Sequence, residues 1–298
     1  MNSHESITAP LSAARRTWNG AMRFLLYAAA ALICALLAFL IGYILYRGVP
    51  NLSWQFLSSE ESVINDIQGI LPAIVNTFYV IFWTLIIILP LGVGSAIYLT
   101  EYATNRKLVS VIEFATETLS GMPSIIFALV GMMVFCQTLG LGTSLMAGAF
   151  ALVMMTLPTI IRTTQESLKT VPQSYREGSL ALGSGKWHMI RTVVLPSSID
   201  GIVTGCILAI GRIVGESAVL MFTAGMGMRM ANFGGDTIGE FLSNFFGAAG
   251  STLTVSLYVY AKERADFDEA FAVAVVLLAI AFLINLAAKF AGKKLKKN

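Results

Sequence analysis

The sequence has few charged residues. Only 12% of its 298 residues are Asp, Glu, Lys or Arg, whereas soluble domains carry about 25%. This shortage, with a hydrophobic fraction of 56%, excludes an ordinary soluble globular domain. Apolar runs recur along the chain, and each is long enough to cross a bilayer as a helix. The predicted fold class is therefore an all-α integral membrane protein.

Histidine and cysteine are also scarce. The two histidines, His4 and His188, are too few to favour a histidine-based metal or catalytic site. Cys34, Cys136 and Cys206 all lie inside apolar runs, where cysteine is usually a small core hydrophobe. Because no nucleophile–base set or metal-ligand set stands out, the chain is predicted to be non-catalytic. It is expected to hold no cofactor or metal of its own, and to contact lipid but no nucleic acid.

Six apolar runs are predicted to be transmembrane helices. Proline is expected to open the second run at Pro72, to kink it at Pro90 and to break the third at Pro123. The predicted organisation is an N-terminal segment, 1–23, a transmembrane domain, 24–290, with spans at 24–46, 71–99, 119–136, 144–161, 197–222 and 269–290, and a basic tail, 291–298.

The positions of Lys and Arg predict the orientation. With six spans, the two tails and the loops at 100–110 and 162–196 share one side of the membrane and carry fifteen of these residues, against four on the other side. Cytoplasmic loops carry an excess of Lys and Arg. Both termini are therefore predicted to be cytoplasmic.

One uncharged stretch, 241–260, could be a seventh span. A seventh span would place the basic tail outside the cell, against the same charge rule. Its glycines, serines and threonines also favour packing against protein rather than lipid. The stretch is therefore predicted to be external or re-entrant.

The polar stretch 175–196 lies between two long apolar runs and has the pattern of a helix–turn–helix. Glu177, Leu180, Ala181 and Ser184 recur at helical spacing. Turn-forming glycines follow at Gly183 and Gly185, and a second helix is expected from Trp187 to Val194, stopped by Pro196.

This stretch resembles the cytoplasmic EAA loop of ABC importer permeases. Glu177, Gly183, Leu195 and Pro196 match that motif, while Gly178 and Ser179 replace its two alanines and Val193 replaces an isoleucine. The resemblance implies that 162–196 is a coupling loop that docks on a separate ATPase, with Glu177, Ala181, Gly183, Leu195 and Pro196 as its coupling residues.

The same stretch contains Gly-Ser-Gly-Lys, which looks like the end of a phosphate-binding P-loop. That motif needs a Gly at the position of Leu180 and a Ser or Thr at the position of Trp187. Both requirements fail, so ATP and Mg are expected to be bound by the partner ATPase and not by this chain.

Two charged residues, Arg212 and Glu216, lie deep in the fifth predicted span. Arg212 and Glu216 are one helical turn apart and are expected to project from the same helix face. Buried charges usually face a partner or an aqueous pathway. They are either a structural pair or a pathway site in which Arg212 attracts an anion and Glu216 holds or releases it through a gate. Arg162, at the end of the fourth span, is either an interface anchor or a third pathway residue.

The runs 157–196 and 197–225 resemble the phosphate-transport permeases of the PstA family, over nearly the whole chain in length and span order. The resemblance implies a bacterial inner-membrane importer of phosphate. Its partners would be a second permease subunit, two copies of the ATPase and an external phosphate-binding protein. The alternatives are the sister phosphate permease, another oxyanion permease for molybdate or sulfate, and a secondary anion carrier.

Overall fold

The computed structural model describes residues 13–61, 68–228 and 237–297. Residues 1–12 of the predicted N-terminal segment and Asn298 of the predicted tail lie outside this range. The described regular structure is helical, and its α-helices are α1 (Ala13–Gly48), α2 (Trp54–Ser58), α3 (Leu71–Ile97), α4 (Arg106–Ser120), α5 (Ser124–Gly131), α6 (Leu145–Lys169), α7 (Gln173–Ala181), α8 (Lys186–Met189), α9 (Leu195–Gly215), α10 (Ala218–Thr223), α11 (Ile238–Gly247), α12 (Leu253–Tyr258) and α13 (Phe267–Lys297).

Five helical stretches among the described residues are long and apolar enough to cross a membrane. A bent pair, α4 with the helix that starts at Ser124, makes a sixth crossing if it is taken as one span. The prediction of an all-helical membrane protein is thus confirmed, with five or six candidate spans. The five long stretches are Arg15–Asn51, Leu71–Tyr102, Leu145–Lys169, Lys186–Gly215 and Phe267–Lys294.

The third predicted span is divided at Pro123. Helix α4 ends at Ser120, α5 begins at Ser124, and the two helices meet at 102°. Proline has no N–H to continue the hydrogen-bond ladder of a helix. Helix α4 is amphipathic and packs along α6, whereas the helix that follows Pro123 is apolar.

Helix α6 lies at the centre of the bundle, where α3 and α9 pack against it. Most side chains in its first half are small or flexible and buried. In a bilayer, helices associate through close packing, which small side chains allow. The buried residues of this half include Leu145, Met146, Ala147, Ala149, Ala151 and Leu152.

The stretch 241–260 is not a continuous helix. Helix α11 ends at Gly247, an extended segment follows, and α12 begins at Leu253 inside the bundle. Side chains of α3 satisfy its backbone: Asn76 Nδ2 donates to Ser251 O at 3.0 Å, and Thr77 Oγ1 accepts from Leu253 N at 2.9 Å. Irregular backbone at membrane depth is stable only when protein groups satisfy it in this way.

The second helix of the polar stretch does not stop at Pro196. Helix α8 continues through a π-helical turn, Ile190–Val194, directly into α9. Pro196 lies in the first turn of α9, where a missing N–H is tolerated because the wider π turn precedes it. The prediction of a stop at this proline was wrong.

At the other end of the bundle, Arg264 pairs with Glu61 and lies over the ring of Tyr260, 5.1 Å from its centroid. The hydrogen bond to Glu61 is the main cause of a raised pKa for Arg264. This pair joins the loop before α3 to the turn before α13.

Candidate functional site

The stretch predicted to dock on an ATPase, residues 173–194, consists of α7, a tight turn, α8 and the π turn, and is named the docking segment. The chain turns at Gly183, whose φ is +85°, a conformation that glycine adopts without strain. Ser184 Oγ donates to Ser179 O at 2.6 Å and closes the turn. Gly185 has an ordinary φ of −70°, so the turn requires only the first of the two predicted glycines.

The surface of the docking segment is exposed and partly apolar. Glu177, Ala181 and Gly183, predicted as coupling residues, are all exposed. Leu182 beside them is 91% exposed, and Trp187 is more than half exposed. Exposed apolar groups that cluster on one segment mark an interaction surface for protein or membrane.

The other two predicted coupling residues lie at the base of the segment. Leu195 is half-buried and packs against a small apolar core, whereas Pro196 is exposed in the first turn of α9. These two residues therefore shape the junction between the docking segment and α9, and they do not form part of the outer surface of the docking segment.

Arg212 lies in the last turn of α9 and is half-buried. Its Nη1 donates to Thr159 Oγ1 of α6 at 3.5 Å. No carboxylate pairs with it among the described residues. A guanidinium in a spanning helix without a counter-charge is available to an anion.

Glu216 does not share a helix face with Arg212, contrary to prediction. Helix α9 ends at Gly215, and Glu216 is extended, with φ −84° and ψ 120°. Its carboxylate accepts from the backbone N–H of Val219 at 3.3 Å, and its carbonyl accepts from Thr254 Oγ1 at 3.0 Å. These bonds stabilise the break, so the predicted span 197–222 is two helices.

Arg162 lies on α6 with its side chain 56% exposed. Its nitrogens lie 3.7 Å from Glu117 Oε1 of α4 and 3.1 Å from Glu166 Oε1 of its own helix. A charged cleft between α4 and α6 surrounds it. The side chain of Arg162 therefore faces α4, whereas the side chain of Arg212 contacts Thr159 of α6.

The glycines of α9 fall into two groups. A Cβ at Gly201 would overlap the side chain of Ser167, and one at Gly205 would overlap that of Thr163. These glycines allow α9 to approach α6 closely. A Cβ at Gly211 or Gly215 would meet open space.

Sequence reasoning missed the contact between Glu101 and Arg176. Arg176 Nη2 lies 2.9 Å from Glu101 Oε1, and both side chains are largely buried. In the sequence, Glu101 falls within the loop at 100–110 and belongs to no recognised motif. No motif pairs residues that are 75 positions apart, so no signal in the sequence could have found them.

Comparison with known proteins decides the family. Residues 88–297 match the family model of the binding-protein-dependent transport system inner membrane component. The chain belongs to this family. The family and the apolar helices make this permease a multi-pass membrane protein.

The relatives of this permease include phosphate permeases. It is 30% identical over 292 residues to the phosphate transport system permease protein PstA 1 of Mycobacterium tuberculosis, with 94% of this chain and 90% of the relative covered. It is 42% identical over 204 residues to the probable ABC transporter permease protein YqgI of Bacillus subtilis, with 68% of this chain and 69% of the relative covered.

Solved structures show the same fold. A bacterial alginate ABC transporter, in complex with an alginate pentasaccharide-bound periplasmic protein, aligns with a TM-score of 0.65 at 14% identity, over 95% of this chain and 99% of its own. The MetNI methionine ABC transporter aligns with a TM-score of 0.56 at 21% identity, over 76% and 94%. At these identities the likeness concerns the fold alone, which is that of ABC importer permeases.

Proposed function

We propose that this chain is one of two permease subunits of an ATP-driven phosphate importer in a bacterial cytoplasmic membrane. Similarity to a phosphate permease over 94% of the chain supports the substrate. In this proposal the transmembrane domain is 24–290, the α4–α5 pair counts as one of six spans, and both termini are cytoplasmic. The distribution of Lys and Arg supports that orientation.

The observation that carries the proposal is the exposed docking segment. Its tight turn at Gly183 and the exposed side chains of Leu182 and Trp187 form a surface that water alone does not stabilise. A soluble ATPase that buries this surface accounts for it, whereas a secondary carrier has no need of such a partner. ATP and Mg would then be bound by the ATPase, in two copies per transporter.

The remaining partners follow from the same assembly. A second permease subunit would complete the pathway, and an external phosphate-binding protein would deliver the substrate. ATP binding closes the ATPase pair and draws the docking segments together. The spans then rock, and the pathway opens towards the binding protein. Phosphate passes Arg212 and leaves inward after hydrolysis resets the pore.

The charge of the pathway supports an anionic substrate. Arg212 offers a planar, permanent cation with several N–H donors, which suits an oxyanion, and it has no carboxylate partner among the described residues. Arg162 is proposed to act nearer the cytoplasmic exit, once its exposed pairs with Glu117 and Glu166 open. One arginine accepts any oxyanion, so a molybdate or sulfate permease is the second candidate.

The test is transport by the native complex. An affinity tag on this chain should co-purify an ATPase and a second permease, and the complex in proteoliposomes should take up labelled phosphate only with ATP and the binding protein. Uptake of sulfate or molybdate in preference to phosphate would favour the second candidate. Uptake without ATP, driven by an ion gradient, would establish a carrier and contradict the proposal.

A further inference from the structure

Glu101 and Arg176 form a buried ion pair beneath the docking segment. Arg176 Nη2 and Nε donate to Glu101 Oε1 at 2.9 and 3.1 Å, and the side chains are 12% and 7% exposed. The nearby pair of Lys169 and Glu113 is much more accessible, at 59% and 41%. Water and salt screen a buried pair much less than an exposed one, so the buried pair holds its partners more firmly.

The guanidinium of Arg176 also binds backbone. It donates to the carbonyls of Leu168, in the last turn of α6, and of Val171, just beyond that helix. Arg176 belongs to α7, and Glu101 belongs to a second π turn, Tyr98–Tyr102, which directly follows α3. A single planar group with five N–H donors thus joins the docking helix to the ends of two spanning helices.

A small apolar core reinforces this junction. Its residues come from the ends of α3 and α6 and from the start of the helix that continues into α9, and they form a cluster separate from the main core. The ammonium of Lys186 lies over the ring of Tyr102, 4.9 Å from its centroid. The buried members of the cluster are Ala96, Ile97, Leu168, Val171, Met189, Ile190 and Val194.

We propose that Glu101 and Arg176 are positioning residues that transmit the movement of the docking segment to the ends of α3 and α6. The inference rests on the proposed function and assigns the residues that link ATPase movement to the spans. If α7 were joined to the spans only by a flexible linker, its movement would not reach the ends of α3 and α6. Directional, charge-assisted hydrogen bonds in a buried site hold the three helices as one body.

The test uses the complete transporter in proteoliposomes and measures phosphate taken up per ATP hydrolysed. Glu101→Gln keeps the size of the side chain and an oxygen acceptor but removes the charge. Arg176→Met keeps much of the length and removes every donor. Each should lower the ratio by about tenfold, within the range of single positions that couple two sites, while the ATPase still co-purifies. Lys169→Met, which removes the exposed pair, should leave the ratio unchanged.

The double variant shows whether the two residues act together. If they form one link, Glu101→Gln with Arg176→Met should lower the ratio no further than Arg176→Met alone. If the double variant shows the product of the two single losses, the residues act independently, which would contradict a single link. A parallel fall in uptake, hydrolysis and ATPase recovery, with the ratio unchanged, would show a purely structural role and overturn the inference.

A second measurement does not depend on the substrate. Spin labels at Ser174 of α7 and at Tyr98 of the π turn after α3, both exposed, should keep the same separation in the nucleotide-free and ATP-bound complexes. In Glu101→Gln the separation should change on ATP binding. A separation that already changes in the native sequence would overturn the inference.

The two levels of proposal fail differently. If the complex takes up phosphate without ATP, the proposed function fails, and the transmission through Glu101 and Arg176 fails with it. If Gly183→Leu abolishes binding while Glu101→Gln keeps a normal ratio, only the transmission through Glu101 and Arg176 fails.

Discussion

Arg212 and Glu216 are four residues apart in sequence but lie on either side of a helix end, and they form no ion pair among the described residues. The carboxylate of Glu216 accepts from the first turn of α10, and Arg212 reaches Thr159 of α6. The two charges are therefore independent features. This separation favours the pathway interpretation of Arg212 over the structural pair.

Replacement of Arg212 should affect transport and not folding. Arg212→Gln removes the cation but strands no buried carboxylate, because Glu216 has other partners. We expect phosphate uptake to fall to background while expression and basal ATP hydrolysis are retained, measured in proteoliposomes. Glu216→Gln, the matched neutralisation, should keep substantial uptake. Poor expression of Arg212→Gln that Glu216→Gln restores would show that the residues are a structural pair.

The turn of the docking segment should depend on one glycine. Gly183→Leu places a side chain at φ +85°, which costs about 1–2 kcal/mol and shifts the turn. We expect loss of ATPase co-purification with normal insertion into the membrane. Gly185→Leu adds the same side chain at φ −70° and in open space, so binding should be better retained. Equal loss in both variants would mean that side-chain bulk, not backbone strain, disrupts docking.

The proposed orientation predicts selective labelling. In a variant that lacks Cys34, Cys136 and Cys206, a cysteine at Glu60 should react with an impermeant thiol reagent added outside intact cells. A cysteine at Lys186 should react only after the cells are opened. Both positions are exposed, so accessibility within the fold does not limit either reaction. Labelling of the Lys186 position from outside would contradict the orientation and the docking assignment.

Close packing of α9 on α6 should be visible in stability. In Gly201→Ala the added methyl overlaps Ser167, and we expect a loss of about 1–3 kcal/mol, the usual cost of overpacking. Gly211→Ala meets no neighbour within 4 Å and should be neutral or stabilising, because alanine favours helix over glycine by up to about 1 kcal/mol. Thermal unfolding in detergent measures both. Equal stability of the two variants would contradict a close contact at Gly201.

Much of this protein follows from the sequence by itself. Apolar runs of bilayer length determine that it is a helical membrane protein, because a helix satisfies every backbone group within its own segment. The break at Pro123 and the turn at Gly183 are also local, since proline lacks a donor and glycine tolerates positive φ. These features depend on residues close together in the chain, and they could be predicted.

Only the tertiary structure decided the features that depend on distant partners. The helix break at Glu216 exists because Thr254 satisfies a carbonyl that a continuous helix would have bonded. The segment before α12 enters the bundle because Asn76 and Thr77 bind its backbone. The pair of Glu101 and Arg176 joins helix ends 75 residues apart. Hydrogen bonds between distant segments leave no periodic or local pattern in a sequence, so packing alone establishes them.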